Sequence, residues 1–249
     1  MPREWDADGY DRLAAPMTRW GETVVGSLDL VGDERVLDAG CGTGRVTEML
    51  ASRLPRGHVI ALDGSPAMIE RACERLAGFG ERVSYVVADL AQQLPVEEPV
   101  DAVLSTATLP WIRDHQALFA NLAAVMRPDA QLAAQCGGAG NIANVEAALR
   151  ELGENFGGRK HFAGVRGTRA DLEAAGFTDI EVWLHEEPTE LAPEDLEPYL
   201  ATICLGDHVE GMTDTKRKAF VHEVAQRMPT SQIDYVRLNI RARRSVEET

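Results

Sequence analysis

Three glycines at alternate positions, Gly40-Cys41-Gly42-Thr43-Gly44, follow directly on the apolar run Val36-Leu37-Asp38-Ala39. Glycine is required where backbone takes positive φ or where a ligand must approach the main chain closely. A strand that runs into such a loop and at once into a helix is suited to hold a nucleotide-type ligand. Asp63 ends a second apolar run, 58–62, and a carboxylate there can accept hydrogen bonds from both hydroxyls of a ribose. Asp89 closes a third run, 83–87, and is placed for the amino group of a nucleobase. A dinucleotide-binding fingerprint would need its third glycine at position 45, where this chain has Arg45.

Other chemistry-bearing residues are sparse. Trp111 follows the end of a fourth apolar run, at the edge where open α/β sheets bind ligands, and suits a pocket wall. His115 stands beside the same edge and could serve as a general base, although its position after Asp114 also fits the exposed first turn of a helix. Arg159, Lys160, His161, Arg166 and Arg169 form a cationic cluster that could recognise a carboxylate, with His161 and Arg166 the residues expected at a substrate. Arg237, Arg241, Arg243 and Arg244 read as strand edge and tail. The four cysteines have no metal-type spacing, and no metal is expected.

The elements that must position these residues alternate in βαβ fashion, as in a parallel sheet. Strands are predicted at 35–39, 58–62, 83–87, 100–105 and 131–136, with helices at 43–54, 65–78 and 114–126 between them. Val46, Met49, Leu50 and Leu54 recur at helical spacing, Ser65-Pro66 opens the second helix and Asp114 caps the third. Beyond Gly137 a helix at 142–152 leads to a loop rich in glycine and cations. A helix at 169–175 closed by Gly176, a strand at 178–186, helices at 193–205 and 214–227, and a strand from Ile233 to Arg241 complete the chain. The alternation of Ile233, Val236, Leu238 and Ile240 with polar residues suits an antiparallel strand.

At ~150 residues per domain, 249 residues fit one large α/β domain with insertions. With 25 Lys and Arg against 40 Asp and Glu, the net charge is −15. Such a chain repels nucleic acid and anionic membrane on average. The N-terminal Met1-Pro2-Arg3-Glu4-Trp5-Asp6-Ala7-Asp8 has none of the pattern of a signal peptide, and no stretch of about 18 apolar residues could span a membrane. A soluble protein in a reducing, cytoplasmic compartment is expected. Oligomeric state leaves no mark in the sequence.

Leu37-Asp38-Ala39-Gly40-Cys41-Gly42-Thr43-Gly44, with Asp63, Asp89 and Val100-Asp101-Ala102-Val103, resembles the class I S-adenosylmethionine-dependent methyltransferases over residues 30–136. The resemblance implies that Gly40 and Gly42 flank the methionine part of the cofactor. It places Asp63 on the ribose, Gly64 and Met68 near the adenosine, and Asp89 and Leu90 on the adenine. Asp38, Cys41, Ser105 and Thr106 join this cofactor set, and Tyr10 corresponds to an aromatic that closes over the cofactor in relatives. The stretch from Ser105 to His115 and Leu122-Ala123-Ala124-Val125-Met126-Arg127-Pro128 is similar to the trans-aconitate methyltransferases and related small-acid O-methyltransferases, with Asp129-Ala130 where they carry two glycines.

The implied fold is α/β: a Rossmann-like, doubly wound, seven-stranded sheet, mostly parallel with the last strand antiparallel, plus a helical cap. One domain, 1–249, is expected, with a core of about 30–136, 168–186 and 231–243. The cap comes from about 1–30, 137–167 and 187–230. The expected activity is S-adenosylmethionine-dependent methylation of a small molecule, most readily at a carboxylate oxygen of a trans-aconitate-like acid. A carboxylate, ionised at neutral pH, needs no base, and nothing in the chain spells one out. Three alternatives stay open: O- or N-methylation of a natural-product precursor, a cofactor-binding protein without methyl transfer, and, disfavoured by Arg45, an NAD-dependent oxidoreductase.

Overall fold

The computed structural model describes residues 15–156 and 160–246. Five strands run parallel: β1 (Arg35–Ala39), β2 (His58–Asp63), β3 (Val83–Val87), β4 (Val100–Thr106) and β5 (Met126–Gly137). With β6 (Phe177–Glu186) and the last strand, β9 (Val236–Arg244), they form one seven-stranded sheet in the order β3-β2-β1-β4-β5-β9-β6. β9 is antiparallel to both its neighbours, as the alternation of its apolar residues requires. The chain steps outward from β1 to β2 and β3, then returns to β4 on the other side of β1. That reversal opens a crevice at the carboxyl ends of β1 and β4.

Successive strand residues face opposite sides of the sheet. Val36, Val59, Ala102 and Leu104 pack against α1 (Ala15–Gly26), α2 (Arg45–Arg53) and α3 (Pro66–Leu76). Leu37, Ile60, Val103 and Leu132 face α4 (His115–Ala124) and α6 (Val165–Ala174), through Phe119, Leu122 and Leu172. Two expected caps are present: Ser65 Oγ accepts from the Met68 amide at 3.3 Å and Asp114 Oδ1 from the Ala117 amide at 2.9 Å. A third cluster lies over the crevice. It joins Trp20 of α1 to Val145 and Leu149 of α5 (Ala143–Glu151), Tyr199 of α7 (Leu196–Tyr199), Val221 and Val224 of α9 (Asp214–Ala225), and Tyr235. Val24, Val25 and Leu28 belong instead to the sheet cluster, so α1 serves both layers.

The structure departs from the predicted elements where tertiary contacts override local pattern. β5 begins at Met126, not 131. Val100 pairs with Met126 and Ala102 with Gln131, so the intervening residues bulge, and Asp129 sits at φ 65° in the left-handed region that glycine favours and Asp tolerates. α6 starts at Val165, four residues early, because Val165, Thr168 and Leu172 share the face that packs on the sheet. The helix expected at 193–205 is broken into a 3-10 turn (Pro193–Asp195), α7 and a π-helical turn (Leu200–Cys204), followed by α8 (Gly206–Val209). The final strand is also split. β8 (Gln232–Ile233) pairs with β7 (Thr189–Glu190), and Asp234 and Tyr235 turn out of line before β9.

Candidate active site

A cavity of about 600 Å³ occupies the crevice between the sheet edge and the overlying cluster. Its floor at one end is the glycine loop. The amides of Gly40 and Cys41 donate to the carbonyl of Leu62 at 2.7 and 2.9 Å, which ties the loop to the tip of β2. Gly40 has φ 88°, and a Cβ there would lie 2.0 Å from Thr108 Oγ1. Gly42, at φ 54°, has nothing within 4 Å of where a Cβ would project, because that direction is the cavity. Asp63 is held by two amides, from Gly42 to Oδ2 and from Ser65 to Oδ1, each at 2.9 Å. Asp89 Oδ1 accepts from the Ala91 amide at 2.9 Å, so it caps a turn and lines the cavity at once.

Of the cofactor residues expected from sequence, Gly40, Gly42, Asp63, Gly64, Met68, Asp89, Leu90 and Thr106 all line this cavity. Asp38, Cys41 and Ser105 are outside the lining. Asp38 and Ser105 support the loop from below: Asp38 Oδ2 accepts from Thr47 Oγ1 at 2.7 Å, and Ser105 Oγ donates to the Ala39 carbonyl at 2.6 Å. Burial pushes the Asp38 carboxyl up to about 7, against the hydrogen bond from Thr47 and with help from the Asp63 charge. Burial also raises the Cys41 thiol well above its usual range. Tyr10 lies outside the described residues.

At the other end the expectations fare unevenly. Trp111 lines the cavity, and the Lys160 ammonium lies 5.1 Å from its ring centroid and 4.7 Å from that of Phe156. Lys160 Nζ donates to the Cys204 carbonyl in the π-helical turn. His115, His161 and Arg166 lie outside the lining. His115 is buried with Nε2 donating to the Leu109 carbonyl at 2.9 Å, and its ring meets that of His161 at 4.6 Å. Burial, ahead of its other influences, lowers its pKa. It braces the turn that carries Trp111. Arg166 points to solvent from the early start of α6.

The lining also takes in Arg113, Asn141, Glu210, Tyr235 and Arg237, to which the sequence reading gave no site role. Arg237 was expected at a strand edge, yet it is 3% exposed. β9 is an interior strand, and its polar face is covered by the third cluster. The Arg237 guanidinium lies 4.0 Å from the Trp20 ring centroid, and its Nε donates to Gln135 Oε1 at 3.3 Å. Tyr235 and Tyr199 share a hydroxyl hydrogen bond of 2.6 Å, and burial holds the Tyr235 phenol far above its usual range. Among the described residues lining the cavity there is no histidine. No three His, Cys, Asp or Glu side chains among the described residues are grouped to hold a metal. No described helix is long and apolar enough to cross a membrane.

Residues 36–129 match the family model of a methyltransferase domain. The chain is 32% identical to the trans-aconitate 2-methyltransferase of Methylobacterium nodulans over 183 residues, 73% of this chain and 67% of that one. It is 28% identical to the enzyme of the same name from Acidovorax ebreus over 237 residues, 90% and 89% of the two chains. Among solved structures, the fold is similar to Haemonchus contortus phosphoethanolamine N-methyltransferase 2 bound to S-adenosylhomocysteine. The TM-score is 0.67 at 18% identity, over 96% of this chain and 57% of that one. It is also similar to the [4+2]-cyclase SpnF, with TM-score 0.62 at 18% identity, over 99% and 88% of the two chains. The chain belongs to the class I S-adenosylmethionine-dependent methyltransferases. It is an enzyme of that class, and S-adenosylmethionine is its cofactor.

Proposed function

We propose that this enzyme methylates a carboxylate oxygen of a small polycarboxylic acid of the trans-aconitate type. One observation carries the reading: in a chain of net charge −15, the cavity lined by the glycine loop is also lined by three cations, Lys160, Arg237 and Arg113, with Glu210 the one carboxylate beyond Asp63 and Asp89, and no histidine, among its described lining residues. Lys160 and Arg237 already have partners within the protein, and a carboxylate beside such groups gains charge-assisted hydrogen bonds. The names of the curated relatives support the same acid class.

In this reading the open backbone at Gly42 admits the methionine end of the cofactor, Asp63 accepts from the ribose hydroxyls, and Asp89, Leu90 and Met68 receive the adenine. When bound, S-adenosylmethionine would supply a methyl group on a sulfonium, open to attack at carbon by an oxygen nucleophile with S-adenosylhomocysteine as the leaving group. Lys160 holds the acceptor carboxylate against Trp111, whose ring keeps water out. Holding the acceptor in line supplies the catalysis. A carboxylate has no proton to lose at neutral pH, so no side chain has to take one.

The test is incubation with methyl-labelled S-adenosylmethionine and a panel of mono-, di- and tricarboxylic acids, with ester formation read by mass spectrometry. Monoesters from the polycarboxylic acids are expected. Transfer only to alcohols or amines would overturn the reading.

A further inference from the structure

The Arg237 guanidinium ends a chain of hydrogen bonds that crosses three strands. Its Nε donates to Gln135 Oε1 at 3.3 Å, Gln135 Nε2 donates to Asn239 Oδ1 at 2.8 Å, and Asn239 Nδ2 meets His185 Nδ1 at 2.9 Å. His185 Nε2 then meets Glu187 Oε2 at 3.2 Å. An amide nitrogen only donates and a carboxylate only accepts. Every bond therefore runs the same way, from the cation in the cavity to the carboxylate beyond the edge strand, and His185 carries its proton on Nε2. Each amide is fixed by its neighbour, so neither Gln135 nor Asn239 can turn over without setting like groups against each other. The Trp20 ring covers one face of the guanidinium, at 4.0 Å. A long, rotamer-rich side chain is thereby locked in place before any ligand arrives, which lowers the entropic cost of binding.

We propose that Arg237 is the residue that selects acceptors with a second, non-reacting carboxylate, and that Gln135 and Asn239 are its positioning residues. The inference rests on the carboxylate reading above and assigns Lys160 and Arg237, two of the three lining cations, different work. Lys160, a point charge beside Trp111, serves the carboxylate at the methyl-transfer end. Arg237 lies on β9 opposite Gly137 at the end of β5, and its planar fork takes the distal carboxylate in two parallel bonds. Binding energy from that remote group is spent on aligning the reacting oxygen.

The test compares trans-aconitate with crotonate, a monocarboxylate of related shape, in wild type, Arg237→Gln, Arg237→Lys and Gln135→Met. S-adenosylhomocysteine affinity by calorimetry checks that each variant keeps its fold and cofactor site. Arg237→Gln is expected to raise KM for trans-aconitate about 100-fold relative to KM for crotonate. Gln135→Met is expected to raise the same ratio about 10-fold, with kcat changed by less than about 3-fold. Lysine at 237 should recover only part of the loss, because it lacks the fork. A purely structural role would shift both acids and cofactor affinity together. If Arg237→Gln does not fold, Gln135→Met alone reads the ratio, and an unchanged ratio overturns the proposal. If wild type esterifies no acid, the preceding functional reading fails by itself. The selection is then read from trans-aconitate titrated into protein loaded with S-adenosylhomocysteine: binding that weakens in Arg237→Gln sustains it, and equal or absent binding overturns it.

Discussion

The Gly42 amide donates to Oδ2 of Asp63 at 2.9 Å, so the glycine loop and the tip of β2 form one rigid unit. The carboxylate that would meet the ribose is also the one that holds the loop open. Asp63→Ala removes both functions, each involving charge-assisted hydrogen bonds worth about 1.5–3 kcal/mol. Affinity for S-adenosylhomocysteine should fall at least ~100-fold, measured by calorimetry, while thermal unfolding stays cooperative. Binding within a few-fold of wild type would show that the ribose is held elsewhere.

Two glycines of the same loop should fail in different ways. Gly42→Ala places a methyl in open cavity at positive φ, with a stability cost of about 1 kcal/mol and a larger loss of cofactor affinity, above ~10-fold. Gly40→Ala drives a methyl into Thr108, which must move, and overpacking costs about 1–3 kcal/mol on top of the same backbone strain. Denaturant midpoints and titrations on the pair check the contrast. A milder stability loss at Gly40 than at Gly42 would contradict it.

Asp38 gives stability a pH dependence. Its folded pKa, about 7, lies above the ordinary value of 3.8, so the native state binds the proton more tightly than the unfolded chain. Protonated Asp38 favours the fold, and that contribution is complete below about pH 4. It is lost as pH rises toward 7 and changes little beyond. Asp38→Asn keeps an acceptor for Thr47 without the charge. The stability of wild type relative to this variant should therefore fall between pH 4 and 7, by a few kcal/mol at most. A difference that is flat, or that rises with pH, would exclude this origin.

His115 should prove dispensable for chemistry and useful for the fold. It is buried outside the cavity, bonded to the Leu109 carbonyl. His115→Gln should leave kcat within about 3-fold and the pH–rate profile unchanged, with about 1–2 kcal/mol of stability lost from the unpaired carbonyl. A general base would contribute 10²–10⁴-fold, and a loss of that size would reinstate it.

The glycine loop, Asp63 and Asp89 were legible because their chemistry is local: a turn needs glycine where it bends, and a carboxylate at a strand end points where the strand ends. Asp38, Cys41 and Ser105 neighbour the cavity-lining residues in sequence, but their side chains are buried away from the cavity, Asp38 and Ser105 by the period-two alternation of their strands. The members of the cationic cluster part company because spacing alone does not tell a loop from the first turn of a helix. Lys160 stayed at the cavity, while α6 began early and carried Arg166 to the surface.

By itself the sequence determined the order of strands and helices from residue 35 to 125, the glycine loop with the two strand-end carboxylates that line the cavity, and a net charge of −15. These follow from hydrophobic period, turn chemistry and composition, all properties of neighbouring residues. Only the tertiary structure brought Arg237 into the lining of the same cavity. Arg237 read as strand edge, but β9 is inserted between β5 and β6 and Arg237 is covered by Trp20 and Tyr235. Whether a polar side chain meets water or a ligand depends on what packs over it, and here the covering residues lie as far as 217 positions away, between Trp20 and Arg237.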